Sequence, residues 1–189
     1  LDDFAYFHLE TRQTPASQLS DEWVLKASEA DDMQELAYWF QHHIGGLMLD
    51  CLDLDPQTFA SRHLIDEYHQ HGFAKDRQLL SLRRHNRIQG CIAIHRTDIG
   101  LNLSDLTNCV KIILSDTRHL NRQVIESALH LTFTQYDLAP DTPVLLYPAL
   151  FAEQSGIPVE KNYCLWILNT RCSDRYFGFL DRMFKLMRD

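Results

Sequence analysis

Between Val110 and Tyr147 the chain switches between two hydrophobic rhythms, and that switching limits the folds open to it. Val110-Lys111-Ile112-Ile113-Leu114 is a short apolar run, the pattern of a strand buried on both faces. A polar loop from Ser115 to Leu120 leads into a helix beginning near Asn121. Its apolar face is Val124, Ile125, Ala128, Leu129, Thr132, Phe133 and Tyr136. Asp137 to Pro143 reads as a loop, and Val144 to Tyr147 is again a short apolar strand, central in a sheet. Strand, helix and strand in that order predict a parallel pair joined by a right-handed crossover. The strand-to-helix junction of such a unit is the usual place for backbone N–H groups to hold a phosphate. Yet no glycine lies between Gly100 and Gly156, so the junction is not a glycine-rich phosphate loop.

The flanking segments add further elements. Phe4, Tyr6 and Phe7 suit a short strand or an arm packed on the domain, and Thr14-Pro15-Ala16-Ser17 suits a loop. Trp23 to Ala27 is a strand candidate, followed by helix-start signals at Asp31 and Asp32. Met33, Leu36, Ala37, Phe40, Ile44, Leu47, Met48 and Cys51 fall at helical spacing, interrupted by Gly45-Gly46, where a kink or a break is expected. Asp55-Pro56 starts a second helix carrying Phe59, Leu64, Ile65 and Tyr68 and ending at Gly72. Gln78–Arg84 and Ile88–His95 form an antiparallel hairpin around His85-Asn86-Arg87. Pro148 to Ser155 is a helical turn closed by Gly156, and Tyr163 to Leu168 is an apolar strand. Ser173 caps a last helix whose stripe (Tyr176, Phe177, Leu180, Met183, Phe184, Met187) either docks on the domain or pairs with a second chain. A mixed sheet covered by helices follows, in the α/β class.

Composition narrows the function classes. The chain has 189 residues, enough for one domain with a sizeable core. A net charge of −8 disfavours nucleic-acid backbones as partners. No apolar run is long enough for a membrane span. Leu1-Asp2-Asp3 lacks the basic-then-apolar opening of a signal peptide, and the missing initiator Met fits a piece of a longer chain. Cys51, Cys91, Cys109, Cys164 and Cys172 contain no C-x-x-C pair and read as reduced core cysteines of a cytoplasmic protein. His69-Gln70-His71, His42-His43 and His63 do not converge as metal ligands, so no metal is expected. No Walker motif, G-x-S-x-G or Cys/His nucleophile pattern is present.

The order of elements resembles the GNAT superfamily of N-acetyltransferases. Trp23-Val24-Leu25-Lys26-Ala27-Ser28-Glu29-Ala30-Asp31-Asp32 looks like the family's opening strand and helix start. Ala149-Leu150-Phe151-Ala152-Glu153-Gln154-Ser155-Gly156-Ile157 looks like its late helix A-x-x-F-Y-E-K-x-G-F, with Phe151, Glu153 and Gly156 on matching positions. The resemblance covers roughly residues 22 to 169. It implies an acyltransferase-like domain over 21–170 with a mixed, mostly antiparallel sheet; the arm or lead-in over 1–20 and the amphipathic helix over 171–189 lie outside the match.

What the resemblance implies for chemistry is an acyl-CoA-dependent N-acyltransferase, with acetyl-CoA or another acyl-CoA as co-substrate and a small-molecule or protein amine as acceptor. Main-chain groups of the third strand, at Ile113 and Leu114, would hold the thioester arm. The family's Q/R-x-x-G-x-G/A phosphate turn overlays on Arg118, His119, Leu120, Asn121, Arg122 and Gln123. Asn121 and Gln123 stand where the family has small residues. Asn121 is expected to supply left-handed backbone geometry in place of one glycine, and Arg118 and Arg122 to meet phosphate directly. Ala152 stands where many members have the Tyr that protonates the departing thiolate, which leaves Tyr147 as the nearest donor. His95 and Asp116 are the candidate bases, and Glu126 lies within the helix as a surface residue. The alternative is a catalytically degenerate ligand-binding or regulatory domain, fused within a larger protein. The acceptor pocket is expected around Gly45-Gly46 and residues 96–108.

Overall fold

The computed structural model describes residues 2–9, 19–44, 48–49, 52, 54, 56–57, 63–98 and 108–165. Seven strands form one sheet: β1 (Asp2–His8), β2 (Trp23–Ala27), β3 (Lys75–Arg84), β4 (Arg87–Thr97), β5 (Cys109–Leu114), β6 (Pro143–Tyr147) and β7 (Lys161–Leu165). Four helices are defined among the described residues: α1 (Ala30–His43), α2 (His63–Gln70), α3 (Arg122–Gln135) and α4 (Ala149–Gln154). The strand order is β2-β3-β4-β5-β6-β1-β7. Every neighbouring pair is antiparallel except β5 and β6, which run parallel with Val110 opposite Val144 and Ile113 opposite Tyr147. The mixed, mostly antiparallel sheet flanked by helices is thus the architecture observed.

The period-2 geometry of strands explains the two cores. On β5, Val110, Ile112 and Leu114 face a cluster that includes Ile125, Ala128, Leu129 and Phe133 of α3 and Phe151 and Ala152 of α4. Cys109 and Ile113 face the other cluster, with Met33, Leu36 and Phe40 of α1. Helix α1 therefore covers one face, and α3 with α4 the other. Helix α1 begins where the Asp32 carboxylate accepts from the Glu29 N–H at 3.0 Å. The hairpin turn is shorter than expected: Arg84 pairs with Arg87, and only His85 and Asn86 form the loop. Both have positive φ, 46° and 64°, the type I′ geometry that matches strand twist.

Residues 2–8 are a strand inside the sheet. β1 lies between β6 and β7, with Tyr6 opposite both Leu145 and Lys161. Phe4, Ala5, Tyr6 and Phe7 are all buried. The His8 Nδ1 meets Glu160 Oε1 at 2.7 Å beyond the strand end. By contrast β7 starts two residues before the expected Tyr163–Leu168, of which 166–168 lie outside the described residues; it ends the described strand order, and its side chains are exposed or half-buried. Cys91 and Cys109 are buried in the α1-side core, and burial pushes the Cys91 thiol up to about 12. Cys164 is exposed. The expected Gly45-Gly46 kink, the Asp55 cap, Cys51, Cys172 and the helix beginning at Ser173 lie outside the described residues. So do residues 99–107 of the expected acceptor loop.

Candidate functional site

The β5–α3 junction is built from both sides. Ser115 N–H donates to the Gln89 carbonyl of β4 at 2.9 Å, which holds the end of β5 against its neighbour. Leu120 turns inward and is buried under α3. Asn121 then caps the helix: its side-chain oxygen accepts from the Val124 N–H at 3.0 Å. Its backbone is extended, with φ −141° and ψ 171°. The expectation that Asn121 replaces a glycine in the left-handed region is therefore wrong. A short polar side chain serves caps as well as left-handed turns, and here the helix start uses it.

Backbone donors remain at this turn. Arg118 N–H is used by Asp116 Oδ1 and Leu120 N–H by the Thr117 carbonyl. The N–H groups of Thr117, His119 and Asn121 have no hydrogen-bond acceptor among the described residues. Arg122 and Gln123 open the helix, where N–H groups have no intrahelical partner. Their side chains and that of Asn121 are exposed, so Gln123 projects toward solvent. These amides, and the partial positive charge of the helix start, suit phosphate oxygens.

The charged groups are mostly engaged. Arg118 is exposed and makes a two-pronged pair with Asp116, Nε–Oδ1 at 2.9 Å and Nη2–Oδ2 at 2.6 Å. The hydrogen bond from Arg118 lowers the Asp116 carboxyl below its usual range, which weakens it as a base. Arg122 donates to Glu126 at 2.7 Å and to the Gly156 carbonyl at 2.7 Å, tying α3 to the turn after α4. Two cavities flank the junction and share His119. One, about 290 Å³, is lined by Arg118 and Asp116 together with the hairpin residues Arg84, His85, Arg87 and Gln89. The other, about 150 Å³, runs along Asn121, Gln123 and Val124 toward Leu19 and Trp23.

The remaining candidates divide by their position in the sheet. Tyr147 ends β6 opposite Ile113, at the junction end. Its ring packs on the α1 face, 5.3 Å from Phe4 and 6.1 Å from Phe40 between centroids, and it is half-buried. Ile113 and Leu114 are buried, and β5 is laddered to β4 and, through Ile113, to β6. A ligand arm therefore reaches main-chain groups of this strand only near Leu114. His95 pairs with Cys109 at the opposite end of β5. Five residues along a strand place it about 17 Å from the junction. Burial, followed by the charges of Lys111, Arg77 and Lys75, lowers its pKa to about 3. His95 cannot act as the base of the junction site. Ala152 is fully buried and has no ionisable group.

The hairpin contribution to the larger cavity was not anticipated. Its signal in the sequence is the run Arg83-Arg84-His85-Asn86-Arg87, basic residues at the tip of a predicted hairpin. Arg83 is turned away onto Asp32 and Glu35. Among the described residues no group of three His, Cys, Asp or Glu converges as metal ligands, and no helix is long and apolar enough to cross a membrane.

No protein-family model and no curated protein matches the chain. Among solved structures, an acetyltransferase of Salmonella typhimurium, described as modifying the N-terminal serine of the 50S ribosomal subunit protein L7/L12, is similar over 65% of this chain and 66% of its own. The identity is 14% and the TM-score 0.34. This chain thus spans just under two thirds of that protein's length, and the likeness is too loose to bear on substrate or chemistry.

Proposed function

We propose that this domain binds an acyl-CoA by its pyrophosphate at the β5–α3 junction and transfers the acyl group to an amine by direct attack on the thioester. The observation that carries this reading is the junction's set of amides without an acceptor among the described residues, at the start of a capped helix and beside a basic cavity, in a chain of net charge −8. The N–H groups of Thr117, His119, Asn121, Arg122 and Gln123 donate to phosphate oxygens. Arg118, exposed to solvent, leaves Asp116 to meet the same oxygens. That exchange frees the Asp116 carboxylate to accept the amine proton. Tyr147 at the end of β6 is the proton donor for the departing thiolate. The bound thioester itself supplies the activated acyl carbon. A small-molecule or protein amine is the acceptor.

A second reading is a ligand-binding or regulatory domain without catalysis, within a longer protein. Two observations favour it: Asp116 is held by Arg118, and the buried position 152 carries alanine. Calorimetry with acetyl-CoA, using Arg118→Glu as control, tests both. Binding that Arg118→Glu weakens, followed by thiol release with some member of a broad amine panel, is the result expected of the enzyme. Binding without release over the panel leaves the regulatory domain. An absence of heat at millimolar ligand would rule out the acyl-CoA site.

A further inference from the structure

The tip of the β3–β4 hairpin carries a charge arrangement that the junction turn does not require. Arg84 and Arg87 flank the two-residue turn and converge with Arg118 on the cavity of about 290 Å³. Three guanidinium groups around one concavity repel one another, in a chain that is acidic as a whole. Arg84 is balanced by Glu22, Nη2–Oε2 at 2.8 Å, and Arg118 by Asp116. Arg87 has no carboxylate partner among the described residues, and its side chain is exposed.

One polar residue of the lining is itself buried. Gln89 is only 6% exposed. Its Nε2 donates to the Ile88 carbonyl at 3.2 Å, and its Oε1 has no hydrogen-bond partner among the described residues. Beside it, the Ser115 Oγ is likewise buried without a partner. A buried amide oxygen left unmatched is costly, so its persistence points to a donor arriving with a ligand.

We propose that this cavity binds a phosphorylated sugar, the arginines meeting the phosphate dianion and Gln89 Oε1 accepting from a sugar hydroxyl. The volume suits one phosphorylated sugar ring, at the small end of ligand pockets. The chemistry is shared by two sources: the 3′-phosphorylated ribose of a CoA at the adjoining junction, and a free sugar phosphate. The assignment needs only the cavity and stands whether or not a thioester binds next to it.

The test is calorimetry with ribose 5-phosphate, ribose, CoA and 3′-dephospho-CoA on the wild-type domain, Arg87→Glu and Gln89→Leu. A free sugar phosphate as ligand predicts that ribose 5-phosphate binds, ribose does not, and CoA and dephospho-CoA bind alike. The ribose of CoA as ligand predicts that CoA binds more tightly than dephospho-CoA in the wild type and no more tightly in Arg87→Glu. In either case Arg87→Glu weakens the phosphate-dependent binding about tenfold or more, the loss of one charge-assisted hydrogen bond. Gln89→Leu weakens it too, yet raises the thermal midpoint, because the orphaned amide is gone. Phosphate-dependent binding unchanged in a folded Arg87→Glu, or none with any of these ligands at millimolar concentration, would overturn the assignment. Acetyl-CoA binding that survives in a protein indifferent to both phosphates would overturn the cavity alone and leave the junction reading intact.

Discussion

Gly90 is where the sheet and the junction meet, and its replacement by alanine tests both. It lies in β4 opposite Leu114, the last residue of β5. A Cβ added there would sit 2.5 Å from the Ile113 carbonyl oxygen, 3.0 Å from Leu114 Cδ2 and 3.1 Å from Leu114 Cα. Two of those atoms are backbone, so rotation of a side chain does not relieve the contact. Favourable carbon contacts lie near 3.5–4.0 Å, so relief requires the strands to part by roughly 1 Å. β5 is buried on both faces and paired on both edges, which leaves it little room to yield. Overpacking of this kind costs about 1–3 kcal/mol, and the stiffer unfolded chain of an alanine offsets roughly 0.4–1 kcal/mol of it. A net loss of about 1–2 kcal/mol, with a urea slope of about 2 kcal/mol/M, lowers the denaturation midpoint by roughly 0.5–1 M. The comparator is Gly72→Ala. Gly72 has φ +79° and open space around its Cβ position, so the cost there is conformational, about 1 kcal/mol. Circular dichroism in urea gives both midpoints, and calorimetry with acetyl-CoA separates them. Gly90→Ala moves Leu114 and weakens binding, whereas Gly72→Ala leaves it alone. An unchanged or higher midpoint for Gly90→Ala would refute the close approach and with it the Gly90–Leu114 register.

Two further outcomes follow from the same geometry. Asn121→Ala removes the cap on Val124 and costs about 1 kcal/mol in urea denaturation, whereas Asn121→Gly costs only a few tenths; equal effects would show that the cap bond is not formed. Burial raises the Asp32 carboxyl, but the Glu29 N–H, Ser81, Arg83 and Lys26 together outweigh burial and hold it below its ordinary 3.8. A depressed carboxylate contributes stability that is complete above pH 3.8 and fades as pH falls through the lower folded value. The stability gap between wild type and Asp32→Asn should therefore narrow below about pH 4; a constant gap down to pH 2 would refute the pairing with Arg83.

Patterns that report burial were readable from the sequence. The α3 face came through because Ile125, Ala128, Leu129 and Phe133 repeat at the helical period and bury together. The hairpin and the two strands of the crossover came through for the same reason. Pairing partners were hidden. Phe4, Tyr6 and Phe7 announce an apolar strand, but nothing local says that it fills the gap between β6 and β7. His95 and Asp116 both looked like strand-end residues, and only the antiparallel run of β4 against β5 puts them at opposite ends of the sheet. The larger cavity was hidden likewise, since Arg84 and Arg87 reach Arg118 and His119 through the β4–β5 register. Gly90 gave a faint sign, a glycine within a strand pattern, which marks close approach of another backbone.

The position of β1 also sets the timing of folding. Its partners run from Pro143 to Leu146 and from Lys161 to Leu165, and the His8–Glu160 contact spans 152 residues. At about 5–20 residues per second, a ribosome needs roughly 10–30 s to deliver that second half. For that interval Phe4, Tyr6 and Phe7 have emerged with neither neighbouring strand yet made. The sheet closes only after β7 leaves the ribosome, and that closure is slowed by long-range pairing. A nascent chain stalled before Pro143 would present this aromatic segment to chaperones, and one released there would aggregate through it.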